Sequence, residues 1–242
     1  LEEKKLKYTV TEYMKRYIAL FIGFFIMALG VALSTRADLG TSPISCPPYV
    51  LSLVIPFTMG AITIAMHVVF ILIQILLLRR EYDPIQLLQL VAAFVFGFFT
   101  DLTLSMTAAV VLHSYFMQWV LCLISCVLVA IGVELEVRAG VVMLAGEGTM
   151  TAISKVFHLE FAKVKIAFDL SMVVIACVIS FAALGQIKGV REGTVAAAVL
   201  VGLMVRVLDK ILNGFFNRIG LTSLNATAQD KETEKTTEAQ SA

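Results

Sequence analysis

Six long apolar runs, each near the length of a membrane-crossing helix, limit what this chain can fold into. They cover residues 17–33, 61–78, 87–106, 116–133, 166–184 and 194–212. About 20 apolar residues cross the ~30 Å hydrocarbon layer of a bilayer as an α-helix. The runs lack the period-two alternation of a membrane β-barrel, so an all-α integral membrane protein is expected. Of the 242 residues, 59% are hydrophobic, more than a soluble domain of this size can bury. The formal net charge is +1, and no basic aromatic surface calls for nucleic acid.

The runs come in two matching sets. "ALGVALSTRA" at 28–37 returns as "AIGVELEVRA" at 130–139, with six of ten positions identical, among them Gly30 with Gly132 and Arg36 with Arg138. At the same offset of 102, "ITIAM" (62–66) lies over "VKIAF" (164–168). At an offset of 105, "AAFVFG" (92–97) lies over "AAVLVG" (197–202). The chain therefore divides into an N-terminal segment 1–16, three-helix units at 17–113 and 114–218, and a polar tail 219–242 expected to be disordered and cytoplasmic. An odd number of spans per unit inserts the second copy upside down, which makes an inverted-topology repeat. Lys4, Lys5, Lys7, Lys15 and Arg16 before the first run resemble a signal peptide, but the mid-chain copy of that run marks it as structural. With six spans, thirteen Lys and Arg fall on the N-terminal side and three, Arg36, Lys188 and Arg191, on the other. Both termini are then expected in the cytoplasm.

Each arginine precedes a broken segment. The first, "DLGTSPISCPPYVLSLVIP" (38–56), holds four of the five prolines of the chain. Ser42 before Pro43 reads as an N-cap with proline at the first helical position. The second, "GVVMLAGEGTMTAISKVF" (140–157), has Gly146 and Gly148 for backbone freedom and Thr149 to cap a short helix through Ile153. Segments 41–56 and 140–156 read either as re-entrant half-helices or as interfacial loops; non-helical backbone at membrane depth requires burial in protein or a cavity. Small residues at Ala19 and Gly23, and at Gly30 and Ser34, permit close helix approach and place the first and fourth spans inside the bundle.

"ALGVALSTRADLGTSP" near the N-terminus, "GEGTMTAISK" in mid-chain and "REGTVAAAVLVG" before the last span resemble the YczE/YyaS/YitT family of bacterial membrane proteins. The last of these looks like that family's Gly-x-Gly-Thr segment, with Arg191 in place of its first glycine. The resemblance implies a multi-pass protein of the bacterial cytoplasmic membrane and points to transport without naming a solute.

Candidate site residues follow from the repeat. Arg36 and Arg138, each beside a half-helix N-terminus, suit an anionic group, with Thr41, Ser42, Gly148 and Thr149 at the helix starts. The bland alternative is that the arginines snorkel to the headgroups. His67 and Asp169 correspond at offset 102 and lie inside their spans. Ionisable groups there are costly and usually functional. Asp169 is a candidate for a coupling proton or cation, or else pairs with Lys165; His67 is a candidate for the same role, or else a hydrogen-bonded core residue. Asp101 and Arg206 lie late in spans three and six, where they pair with each other or with Arg36 and Glu134. Glu134 and Glu136 replace Ala32 and Ser34 of the first copy, as a gate, a coupling site or merely a solvated helix end.

Other chemistries find no support. Cys46, Cys122, Cys126 and Cys177 form no Cys-x-x-Cys, and Cys122 and Cys126 read as core residues. There is no His-Glu-x-x-His, Walker loop or Gly-x-Ser-x-Gly, so the sequence calls for no enzyme activity, metal or cofactor. The expected function is secondary transport of a small anionic solute by alternating access between two inverted repeats. A channel and a non-transporting partner or assembly protein are the competing readings. The expected partners are the lipid bilayer and the solute; homo-oligomer formation is left open.

Overall fold

The protein is described here by a computed structural model covering residues 10–219. Residues 1–9 and 220–242, with nearly all of the expected tail, lie outside the described residues. The helices are α1 Val10–Ala37, α2 Cys46–Ser52, α3 Met59–Leu78, α4 Leu88–Met106, α5 Tyr115–Ala139, α6 Ala145–Phe157, α7 Phe161–Leu184 and α8 Glu192–Ile219. Among the described residues there is no strand. The order long, short, long, long occurs twice.

Five helices, α1, α3, α4, α5 and α7, are long and apolar enough to cross a membrane. α8 has the same 28 residues as α1. Arg206, Asp209 and Lys210 interrupt its second half, and it is not among the five. α1 and α5 extend beyond the apolar runs that announce them, because Arg36, Glu134, Glu136 and Arg138 continue the helices. An apolar run ends at the first charge, but Glu and Arg are good helix formers. α5 stops where Gly140 takes a left-handed conformation, φ 58°, that favours glycine.

The largest interface joins α1 to α5. They run antiparallel: Gly23 lies against Gly132, and Gly30 against Val129. A Cβ on Gly132 would fall 2.7 Å from the Gly23 carbonyl oxygen, so this crossing requires glycine. α4 packs beside α1 through Phe24 on Phe96, at 6.0 Å between ring centroids. α8 packs on α5. The short helices cross between halves: α6 packs on α3 of the first, α2 on α7 of the second.

One contact breaks the symmetry. α3 and α4 close tightly on Gly60 and Gly97, whereas α7 and α8 scarcely touch. Gly202, the counterpart of Gly97, has open space where a Cβ would stand.

Candidate functional site

After α1 the chain turns inward. Gly40 has φ +92°, and a side chain there would collide with Thr194 Oγ1. Thr41 N donates to the Gly189 carbonyl at 3.2 Å. Ser42 then precedes a 3₁₀ turn, Pro43–Ser45, which leads into α2. Ser42 Oγ donates to Ser45 Oγ at 2.9 Å and makes no side-chain cap bond. Ile44 in that turn packs into the space left by the missing side chain of Gly146, in the first turn of α6. Positions 44 and 146 differ by the repeat offset of 102. The starts of the two short segments therefore meet.

The first turn of α6 is set in a polar shell. Gln74 Nε2 donates to the Ala145 carbonyl (3.0 Å), Gln89 Oε1 (3.0 Å) and Thr149 Oγ1 (3.3 Å). Gly148 makes room for both glutamines: a Cβ there would lie 2.7 Å from Gln74 Oε1 and from Gln89 Nε2. Leu144, not Thr149, occupies the N-cap. Thr149 lies one turn inside, its Oγ1 donating to the Ala145 carbonyl at 2.8 Å. Gly146 and Gly148 thus serve close approach within a regular helix rather than backbone freedom. Glu136 Oε1 accepts from the backbone N–H of that N-cap residue, Leu144, at 2.6 Å, and so ties the end of α5 to the start of α6.

Three buried polar atoms around this region have no hydrogen-bond partner: Glu136 Oε2, Gln74 Oε1 and His67 Nδ1. Such atoms are rare in folded cores because losing water without a replacement is costly. Glu136 Oε2 and Gln74 Oε1 both belong to side chains that hold the start of α6, which makes it a candidate for binding a polar ligand. His67 sits on the same face of α3 as Gln74, two turns away, between Phe70 and Phe96. It is buried, but not as a fully hydrogen-bonded core residue.

The two arginines are not brought together. The antiparallel α1/α5 crossing carries Arg36 and Arg138 to opposite ends of the pair, roughly 25 Å apart along the axis at 1.5 Å per residue. Arg36 Nη2 donates to the Leu104 carbonyl at 2.9 Å. Arg138 Nη2 donates to the Asp209 carbonyl at 3.3 Å and to Asp209 Oδ1 at 2.6 Å. Leu104 and Asp209 are themselves equivalent, at the offset of 105. Each arginine thus ties the first helix of its half to the last. Arg138 is wholly buried, bonds Glu134 through Nε and lies over the Phe216 ring at 4.7 Å. The sealed Arg138 guanidinium does not snorkel.

The remaining carboxylates divide. Asp101 caps α3, accepting from Thr58 Oγ1 at 2.6 Å and Gly60 N at 2.7 Å, and not from an arginine. Asp169 Oδ2 pairs with Lys165 Nζ at 3.0 Å, the alternative open to it from the sequence. Glu134 and Glu136 are buried at 3% and 1% exposure, which removes the solvated reading of that helix end. Cys122 and Cys126 lie in an apolar cluster with Leu39 and Ala197. Sequence reasoning did not reach Gln74, Gln89 or Glu147. The signal for the first was present: Gln74 is a lone amide in an otherwise apolar run.

No curated protein and no solved structure matches this chain. The YczE/YyaS/YitT resemblance remains an expectation, neither supported nor opposed by the family match. That match runs over residues 14–210, covering every helix that builds the site, and by it the chain belongs to DUF6198, a family of unknown function.

Proposed function

We propose that this protein moves a small polar solute across a bacterial cytoplasmic membrane by alternating access between two inverted three-helix halves. The contact of Ile44 with Gly146 carries the reading: two short segments, one from each half, start at a common axis. Antiparallel α1 and α5 support the inversion. α8 is the sixth crossing, the counterpart of α4, with its charges near the cytoplasmic end. Thr41, Ser45 and Cys46 are buried, as irregular backbone at membrane depth must be. Transporters of this kind bind solute near the midplane where broken helices meet. Arg36 and Arg138 are tied within their own halves, so the solute is recognised instead by hydrogen bonding around α6. Both termini face the cytoplasm, the side richer in Lys and Arg.

Topology is tested by single cysteines in a chain whose own four cysteines have been replaced by serine. Phe57→Cys, Val111→Cys and Ile187→Cys, all at exposed positions, should react with an impermeant maleimide from the outer face. Arg80→Cys and Leu159→Cys should react only from the inner face. Labelling of all five from one face ends the inverted-repeat reading. Transport is tested in reconstituted vesicles with a panel of small polar metabolites. Saturable uptake driven by an ion gradient is expected. Passive, non-saturating flux would make the protein a channel. Absence of any flux, with a stoichiometric partner co-purifying, would make it an assembly protein.

A further inference from the structure

Glu136 has a place in the fold that packing alone does not explain. Its side chain is sealed, at 1% exposure, and only Oε1 is bonded, to Leu144 N. Oε2 has no partner. The first half has Ser34 and Ser45 at the positions where the second has Glu136 and Glu147, both at offset 102. Glu147, half-buried, stands on the first turn of α6, three residues after the Leu144 whose N–H Glu136 holds. Lys165 stands near the start of α7, which packs on α6. Lys165 is 45% exposed. Exposure therefore rises stepwise from Glu136 through Glu147 to Lys165.

The other charges facing this region are engaged elsewhere. On α5, Glu134 pairs with Arg138, which also holds Asp209 of α8. Arg16 of α1 donates to the carbonyls of Arg138 and Ala139. Asp169 holds Lys165. His67 is the titratable group on α3. Among the described residues, no group of three His, Cys, Asp or Glu is placed to hold a metal ion. An ionised carboxylate sealed from water without a counter-ion is expensive. A proton removes the charge, takes one lone pair and needs no space.

We propose that Glu136 is a reversible proton-binding site, reached from solvent along Glu147 beside Lys165. The proton adds to Oε2 while Oε1 keeps the Leu144 N–H bond, and it leaves along Glu147 to water. Its role as the coupling ion rests on the transport reading above; the site itself does not.

The test is infrared difference spectroscopy of the full-length protein in lipid vesicles, between mildly acidic and mildly alkaline buffers. Acidification should raise a carboxylic C=O band that Glu136→Gln abolishes. Glu147→Gln, which removes the neighbouring negative charge, should move the midpoint of that band to lower pH. An unchanged band in Glu136→Gln overturns the proposal. If that variant does not fold, an unmoved midpoint in Glu147→Gln overturns it. A band erased by sodium at constant pH gives the site to a metal cation and also overturns it. The readout needs no solute. Vesicles that show the band and carry no solute overturn the transport reading and leave the proton site standing.

Discussion

Arg138→Ala is expected to destabilise the protein by on the order of 3 kcal/mol, because it strands a buried carboxylate. Glu134 is buried beside it, so its charge would be left in the core without its partner. The Asp209 arm adds little, since that carboxylate is half exposed. Arg138→Lys should recover only part of the loss. Lysine is a point charge and cannot serve Glu134 and Asp209 from the two arms of one planar fork. Arg36→Lys should cost less than about 1 kcal/mol, as one bond to the Leu104 carbonyl is within reach of an ammonium. Thermal unfolding of the three variants in one detergent decides it. Equal losses at Arg36→Lys and Arg138→Lys would mean that the two-armed contact of Arg138 with Glu134 and Asp209 adds nothing to stability.

Gly132→Val should separate the halves. The new Cβ would meet the Gly23 carbonyl oxygen at 2.7 Å and Met27 N at 2.8 Å, both backbone atoms. Neither can step aside without moving α1. Overpacking of this kind is expected to cost about 3 kcal/mol or more and to leave little monodisperse protein. Gly202→Val is the control: nothing lies within 4 Å of the added carbon. Its effect should stay within about 0.5 kcal/mol. Size-exclusion profiles and unfolding temperatures of the pair give the comparison. Similar losses in both would show that helix propensity, and not the α1/α5 crossing, sets the outcome.

What could be read in the sequence depended on whether period or partner decides the structure. Apolar runs locate α3 and α4 within two residues, since burial along a helix is written in consecutive side chains. The repeat offset reaches into tertiary contacts. Arg36 and its carbonyl acceptor are 68 residues apart, Arg138 and its acceptor 71, and the difference is the three-residue insertion in the second copy. The site was less legible. Gly-Glu-Gly-Thr suggests a cap at Thr149, but α6 begins earlier, after Leu144, whose N–H is held by Glu136, distant by eight residues. No local pattern encodes such a bond. For the same reason, two arginines at equivalent positions looked like one binding site. The antiparallel crossing of α1 and α5, set by glycines, sends them to opposite ends. Gln74 and Gln89 acquire meaning only once the first turn of α6 packs against them.

The closed α3/α4 pair and the parted α7/α8 pair bear on the energetics of any exchange between the halves. To swap arrangements, α7 and α8 would have to approach as α3 and α4 do. Gly60 permits that approach, its missing side chain making way for the Gly97 carbonyl. Its counterpart at offset 102 is Ala162, which carries a methyl group at that point. On the alternating-access reading proposed above, the exchanged form would therefore not be an energetic mirror image of the present one. Each 1.4 kcal/mol of such a difference shifts the ratio of the two populations about tenfold. On that reading a duplicated chain need not idle evenly between its two faces, and the methyl group of Ala162 would bias which of them is presented at rest.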